Sequence, residues 1–215
     1  EDEYDVHDAF LDEKMHKAIT IMQFKLEGQL IKEHPEFEME KRLLLDKINI
    51  EKGTVCVEET EYPLKDVSFP TIDWEDPYRL SEDEADVMER LVTAFVNCEK
   101  LQRHVRFLYT QGSLYKVYNG NLLYHGCVPL NEDGTFTRVN VFGKEYAGKE
   151  LYDVLEGYAR KGYYAIDPKE KKKGQDILWF IWENQNSPVF GKAKMTTFER
   201  YFIADKKTHQ EPKNP

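Results

Sequence analysis

The residues best able to do chemistry lie in the run from Leu122 to Pro129, LLYHGCVP. Its first three residues are typical of the end of a buried strand, and His125 follows at the strand's tip, ahead of Gly126 and Pro129. That order directs an imidazole into a cleft, and a neutral imidazole is a good ligand for a divalent metal. A structural histidine at a strand-to-turn junction also fits, because one histidine without partners does not specify a metal site.

Three other chemical motifs define no site. Asp5-Val6-His7 has the D-x-H form of a metal site, but it lies in an acidic helix entry with no strand before it, so we interpret it as a chance match. The sequence has no Walker-type glycine-rich loop and no G-x-S-x-G elbow. Cys127 is either a reactive thiol beside His125 or small buried filler at a strand end.

The charge of the chain restricts its partners. The 215 residues carry a formal net charge of −10, which argues against nucleic acid and against an anionic membrane surface. An anionic substrate would need local cations or a metal to collect it. Solubility alone also explains the acidity.

Cysteine usage and targeting signals indicate the cellular compartment. Three scattered cysteines without a C-x-x-C pair argue against a structural zinc site and fit a reducing cytoplasm. No secretory leader and no apolar run of membrane-spanning length is apparent.

The acidic start and the Lys213-Asn214-Pro215 end lead us to expect a piece of a longer polypeptide, with a processed complete domain as the alternative.

The elements of the first half follow from apolar spacing and breakers. Apolar residues at three-to-four spacing predict a helix over 9–34, ended by Pro35. Alternation on both sides of a Lys-Gly turn predicts a hairpin over 48–64. A loop rich in Pro and Asp follows over 63–77, and we expect Trp74 to anchor it by burial.

A long cationic helix is predicted next. Ser81 and Glu84 form a capping box that opens a helix extending to about residue 110, with an apolar stripe. Its later half carries Lys100, Arg103, His104 and Arg106. These cations fit the helix dipole, or they form a cationic wall for a phosphate.

The second half must position His125. Two strands joined at Asn119-Gly120, a strong tight-turn signal, present it, and a short strand follows through Val139 and Val141. A helix is predicted over about 149–161, and the apolar run 177–182 is expected to be buried on all sides. The last informative stretch places three cations around a glycine hinge: Lys192, Lys194 and Arg200.

Several segments together resemble the class III fructose-1,6-bisphosphatases, the long bacterial form, over Lys14 to Pro215. The likeness covers nearly the whole chain in order. It is carried by KMHKAI (14–19), FKLEGQ (24–29), LLLDKI (43–48), FVNCEKLQRHV (95–105), residues 121–129 and the run 195–202.

The resemblance implies a fold and an activity. It implies an α/β (α+β) chain from a calcineurin-like metallophosphatase sandwich, incomplete here, with a helical and hairpin insertion over 1–110 and the later part of the metallophosphatase domain over 111–215. The implied reaction is removal of the 1-phosphate from fructose 1,6-bisphosphate in gluconeogenesis, with manganese as the usual metal. It makes His125 a ligand of one metal in a two-metal site.

The resemblance also has gaps. The family's early metal motifs D-x-H on a strand, G-D-x-x-D-R-G and G-N-H-D are absent, as is its final G-H-x-P-type segment. One imidazole cannot hold two metals that activate water and clamp phosphoryl oxygens, so we expect a middle-to-late segment that is inactive alone. Candidate substrate cations are Lys192, Lys194 and Arg200, with Arg103 and Arg106 behind them. Each also fits a solvated surface charge.

Two further hypotheses stay open. The chain could be a non-catalytic interaction or oligomerisation module built from its amphipathic helices, or a fragment of a Ser/Thr protein phosphatase. The expected partners are a sugar bisphosphate, the remaining segments of the parent polypeptide and further copies of the chain.

Overall fold

The computed structural model describes residues 9–192 and 196–205. Within them the α-helices are α1 (Ala9–Glu33), α2 (Glu82–Asn97), α3 (Glu99–Gln111), α4 (Gly148–Tyr164), α5 (Pro168–Glu183) and α6 (Thr197–Phe202). The strands are β1 (Ile48–Asn49), β2 (Thr54–Val57), β3 (Thr60–Pro63), β4 (Tyr115–Tyr118), β5 (Asn121–Tyr124), β6 (Val139–Val141) and β7 (Lys144–Tyr146). Short 3₁₀ turns lie at Pro35–Phe37, Glu40–Arg42 and Leu45–Lys47.

The strands form three small antiparallel sheets. In the described residues the orders are β1-β2-β3, β4-β5 and β6-β7. The predicted hairpin over 48–64 is confirmed and gains a third strand, because the chain turns back at Glu58 and Glu59, both with positive φ. Val55 and Val57 of β2 are fully buried, as period-2 alternation requires of a sheet with one face on the core.

Two hydrophobic clusters hold these elements together. One packs the β1-β2-β3 sheet against α1, the loop after β3 and α6. The other packs the end of α1 against α4, α5 and the β6-β7 hairpin. Leu43 borders both clusters, so α1 and the turns after it join the two halves of the described structure.

The predicted anchor of the 63–77 loop is wrong. Trp74 is exposed, and Phe69, Ile72 and Tyr78 are the buried side chains of this region. Trp74 meets Phe69 edge-on from the outside, at 6.2 Å between ring centroids. The smaller side chains fill the core and leave the indole at the surface.

The predicted long helix after the capping box is two helices. The box itself is confirmed: Glu84 N–H donates to Ser81 Oγ and the Glu84 side chain accepts from the Ser81 N–H. Cys98 then takes an extended backbone, φ −77° and ψ 100°, which ends α2 and begins α3. Much of the expected apolar stripe is exposed, including Phe95 and Leu108.

The run 177–182 is buried on one side only. Ile177, Phe180 and Ile181 are buried, whereas Trp182 is half exposed, because α5 packs through one face. That face meets α4 at a glycine pair. A β-carbon on Gly162 would lie 2.8 Å from the carbonyl carbon of Gly174, so the two backbones approach as closely as glycine allows.

The expected mixed α+β class is confirmed, and the helices over 9–34 and 149–161 lie as predicted. The described residues do not themselves form a two-sheet sandwich. No helix among them combines the length and apolarity needed to cross a bilayer.

Candidate functional site

His125 directly follows the β4-β5 hairpin. The hairpin closes at Asn119 and Gly120, with φ of 48° and 77°, as the tight-turn signal predicts. The expectation that Leu122 to Tyr124 end a buried strand is wrong: their exposures are 55%, 54% and 46%. Tyr115 of β4 packs against Tyr152 of α4, at 5.5 Å between ring centroids, and His125 itself is exposed.

The backbone after His125 is fixed against the segment 187–191. The Cys127 N–H donates to the Pro188 carbonyl at 3.0 Å, and the Tyr152 hydroxyl donates to the Cys127 carbonyl at 2.7 Å. Gly126 fits where no side chain could: a β-carbon there would lie 2.5 Å from the Pro188 carbonyl oxygen and 2.6 Å from that of Val189. The histidine therefore stands on a rigid turn, as a ligand or a catalytic group requires.

Buried polar groups hold the 187–191 segment in turn. The buried Ser187 hydroxyl donates to the Ile181 carbonyl and accepts from the Val189 N–H at 3.1 Å. The Asn184 amide donates to the Phe37 carbonyl at 2.6 Å. These supporting residues, and Tyr152, were not predicted as parts of the site. The sequence indicated them only through their positions. Each lies on a helix, or just after one, whose buried face could be predicted.

The Cys127 thiol favours the interpretation as filler. Its sulfur donates to the Ser187 carbonyl at 3.6 Å. Burial raises the pKa of this thiol, which keeps it neutral at physiological pH. A neutral, partly buried thiol is a weak nucleophile.

Lys192 and Arg200, the two end-of-chain cations that the structure describes, lie on different segments. Lys192 is exposed and follows Gly191, which lies beside the Cys127 sulfur, so it is on the segment that contacts the His125 turn. Arg200 is exposed on α6, where its carbonyl accepts from Lys65 Nζ at 3.3 Å. Lys194 lies outside the described residues, as do Asp5 and His7. Of the two end-of-chain cations that the structure describes, Lys192 is the one next to the segment that contacts the His125 turn.

Arg103 and Arg106 are exposed on α3. That helix packs on α4 through Tyr109, whose ring stacks on Tyr163 at 5.1 Å, and Gln102 accepts from the Tyr163 hydroxyl at 3.2 Å. Among the contacts of the described residues, none joins either arginine to His125.

A separate acidic cluster joins α1 to α5. The ligand atoms of Glu33, His34 and Asp176 lie within 4.8 Å of one another, a spacing that could suit a cation. Lys172 already places its ammonium between the two carboxylates, 2.9 Å from Glu33 and 2.7 Å from Asp176. The hydrogen bond from Lys172 lowers the pKa of Glu33. The cluster is therefore an internally compensated ion network.

The metal prediction for His125 depends on groups beyond the described chain. Within residues 9–192 and 196–205, no other His, Cys, Asp or Glu groups with His125 into a set that could hold an ion. A single exposed imidazole does not fit a two-metal centre by itself. These residues alone therefore do not support a metal-dependent reaction step.

An apolar groove lies beside the histidine turn. It encloses about 350 Å³ between the hairpin residues Val117, Leu122 and Tyr124 and the α4 residue Tyr152. The groove continues the exposed face of β5 up to the residue before His125.

The described structure defines the class as a mixed α+β protein with a histidine-tipped hairpin on a rigid turn. The family model described as Firmicute fructose-1,6-bisphosphatase matches residues 1–215, and the chain belongs to this family.

Curated relatives agree with that assignment. A protein of Clostridium botulinum (strain Langeland) named fructose-1,6-bisphosphatase class 3 is 57% identical over 209 residues, covering 97% of this chain and 31% of its own length. A protein of Clostridium tetani with the same name is 55% identical over 212 residues, covering 98% of this chain and 32% of its own. The chain thus spans about a third of the length of these relatives. No solved structure matches it.

Proposed function

We propose that this chain is the middle-to-late segment of a fructose-1,6-bisphosphatase, which hydrolyses fructose 1,6-bisphosphate to fructose 6-phosphate and phosphate in gluconeogenesis. The observation that carries the proposal is the family match over residues 1–215, joined to relatives that bear this enzyme name. The chain is inactive without the remaining polypeptide, because it supplies too few metal ligands.

In this proposal His125 binds one of two manganese ions. The rigid turn at Gly126 and the exposure of the ring support the assignment, since a ligand must be both held and accessible. The other ligands come from the remaining polypeptide, within a calcineurin-like sandwich whose later part is residues 111–215 and whose helical insertion is residues 1–110.

The cations have a binding role in the same proposal. Lys192, Lys194 and Arg200 counter the charge of the sugar phosphates, with Arg103 and Arg106 behind them. The position of Lys192 after the segment that contacts the His125 turn supports its place in this group. The assembled enzyme is cytoplasmic and forms a homo-oligomer.

A chimera tests the proposal. In it, this chain replaces the matching segment of the Clostridium tetani relative, and manganese-dependent phosphate release from fructose 1,6-bisphosphate is measured. We expect activity in the chimera and none in the isolated chain. His125→Ala should lower turnover at least about 100-fold and reduce bound metal. The control His104→Ala, at an exposed position of α3, should change neither quantity.

Other outcomes would reject specific parts of the proposal. Normal metal content and turnover in His125→Ala would remove His125 from the ligands. A chimera that releases phosphate faster from a phosphopeptide than from the sugar would favour the protein phosphatase hypothesis. A folded chimera with no phosphatase activity would favour a non-catalytic interaction module.

A further inference from the structure

The β4-β5 hairpin has a free outer edge. It is a two-stranded sheet, and in the part of the chain that the structure describes no strand pairs with the other side of β5. An isolated two-stranded hairpin is at best marginally stable in water, and an unpaired edge invites another strand.

The backbone of β5 presents hydrogen-bonding groups at that edge. In a hairpin closed by two residues, the flanking pair Tyr118–Asn121 exchanges both hydrogen bonds, and bonded and non-bonded pairs then alternate. The N–H and C=O groups of Leu122 and Tyr124 therefore point away from β4, toward the free edge.

Apolar or aromatic side chains lie on both faces of β5, and Asn121, beside the turn, is its one polar residue. Leu122 and Tyr124 face the 350 Å³ groove over α4, and Leu123 stands on the opposite face, with more than half of its surface exposed. A strand that is apolar on both faces is typical of the interior of a sheet with layers on either side.

We infer that β5 receives an extended segment of the remaining family polypeptide, which pairs with its free edge and covers the apolar groove. The chain spans 31% of the curated relatives, so ample polypeptide lies outside it to supply that segment. A second copy of the chain is the competing occupant, and the oligomeric state of the isolated chain tests it. Lys149, the one charged residue of the groove lining, is paired with Asp153, and the rest of the lining is apolar or aromatic, so the groove favours an apolar polypeptide segment over a nucleic acid or an anionic ligand.

The consequence concerns the histidine. His125 directly follows this strand, so the added segment fixes the sheet end from which the imidazole projects. The inference depends on membership of the family and not on the proposed catalytic activity.

Hydrogen exchange of residues 121–125 tests the inference, in the isolated chain and in the chimera. We expect exchange of this segment to slow at least about 100-fold in the chimera, because the outward N–H groups of Leu122 and Tyr124 become bonded. Residues 177–181 of α5, which do not line the groove, should exchange equally in both and serve as the internal control. If the chimera does not fold, the same two measurements are made on the complete Clostridium tetani relative and on its isolated matching segment.

A substitution pair gives a second readout. Leu122→Asp should lower the melting temperature of the chimera much more than that of the isolated chain, because Leu122 lines the groove that the added segment covers and is more than half exposed in the isolated chain. Ile166→Asp, at an almost fully exposed apolar position, should affect neither protein.

Three results would overturn the inference. One is equal exchange of 121–125 in both proteins. Another is an equal fall in melting temperature from Leu122→Asp in both. The third is a concentration-dependent dimer of the isolated chain, by light scattering, in which the segment is already protected. None uses phosphate release, so an inactive chimera with a protected strand would refute only the proposed function.

Discussion

At the scale of single residues, Gly126 decides how His125 is held. The turn after β5 lies against the carbonyls of Pro188 and Val189, and the missing side chain of Gly126 makes this approach possible. The atoms that a β-carbon would meet are all backbone atoms, so no flexible side chain could move aside.

Gly126→Ala should therefore destabilise the chain. A β-carbon 2.5 Å from the Pro188 oxygen forces a backbone shift, and overpacking of this kind costs about 1–3 kcal/mol. Urea denaturation of the parent and the variant measures the difference in the free energy of unfolding.

The matched control is Gly157→Ala. Gly157 is an exposed residue in the middle of α4, and a β-carbon added there would have no atom within 4 Å, so alanine should stabilise by about 0.5–1 kcal/mol. Equal stability of Gly126→Ala and the parent would show that the turn is not packed as described.

Residue-scale signals with a local mechanism predicted the structure well. The Asn119-Gly120 turn and the Ser81–Glu84 capping box are confirmed, because a positive φ and a satisfied helix end are properties of a few adjacent residues. The prediction that Trp74 is buried was wrong, because several apolar side chains of this loop compete for the same core volume and Phe69, Ile72 and Tyr78 fill it. The hydroxyl of Ser187 bonds to nearby backbone groups, at Ile181 and Val189, but its supporting role could not be predicted, because the turn that its segment holds, at Cys127, is distant in the sequence.

At the scale of elements, one buried ion pair attaches α2 to α1. Lys25 is 0% exposed, and its ammonium donates to Glu84 at 2.6 Å and to the Thr71 carbonyl at 2.7 Å. Burial alone would raise the pKa of Glu84, but the hydrogen bonds from Lys25 and the Ser81 N–H hold that pKa below its ordinary value. The same carboxylate therefore caps α2 and fixes its start.

Lys25→Met should destabilise the chain by about 3–5 kcal/mol at pH 7, because it leaves the Glu84 carboxylate buried without its cation. Since the folded pKa of Glu84 is depressed, the stabilisation by the pair is present above the ordinary value of 4.5 and is lost as the pH falls through the folded pKa. The difference between parent and variant should therefore shrink on acidification, which urea denaturation at pH 7 and at pH 4 measures.

The double variant Lys25→Met/Glu84→Gln is the control. It removes both charges and keeps an acceptor for the Ser81 N–H, so it should recover much of the lost stability. A Lys25→Met cost that is small, or that does not change with pH, would show that the pair is solvated.

Periodicity predicted which segments are helices and strands, but not how they are arranged. The break between α2 and α3 lies at Cys98, with no glycine or proline to signal it. The exposure of β5 could not be predicted either. An apolar strand pattern predicts burial, but it does not indicate which part of the polypeptide covers the strand.

At the scale of the whole molecule, a buried charge cluster lies where the two hydrophobic clusters meet. Arg42, next to Leu43, contacts Glu27 of α1 at 2.7 Å and Glu183 of α5 at 2.9 Å. All three side chains are buried. One guanidinium cannot balance two carboxylates, so burial, together with the charge of Glu27, raises the pKa of Glu183 well above its ordinary value, against the opposing effect of Arg42.

This cluster makes the stability of the chain depend on pH. A raised folded pKa means that the folded state keeps a proton on Glu183 that the unfolded chain releases above about pH 4.5. Stability from this group is therefore complete below that pH and declines as the pH rises toward the folded pKa.

Glu183→Gln should remove this decline, because the amide is neutral in both states. Relative to the parent, the variant should gain stability as the pH rises from 5 to 8, by up to about 1.4 kcal/mol per pH unit. Urea denaturation at several pH values measures the difference, and Glu89→Gln on the exposed surface of α2 controls for the loss of one acidic side chain. If the stabilities of parent and Glu183→Gln ran parallel across this range, Glu183 would be ionised in the folded protein, and Arg42 alone would compensate both carboxylates at the junction of the two clusters.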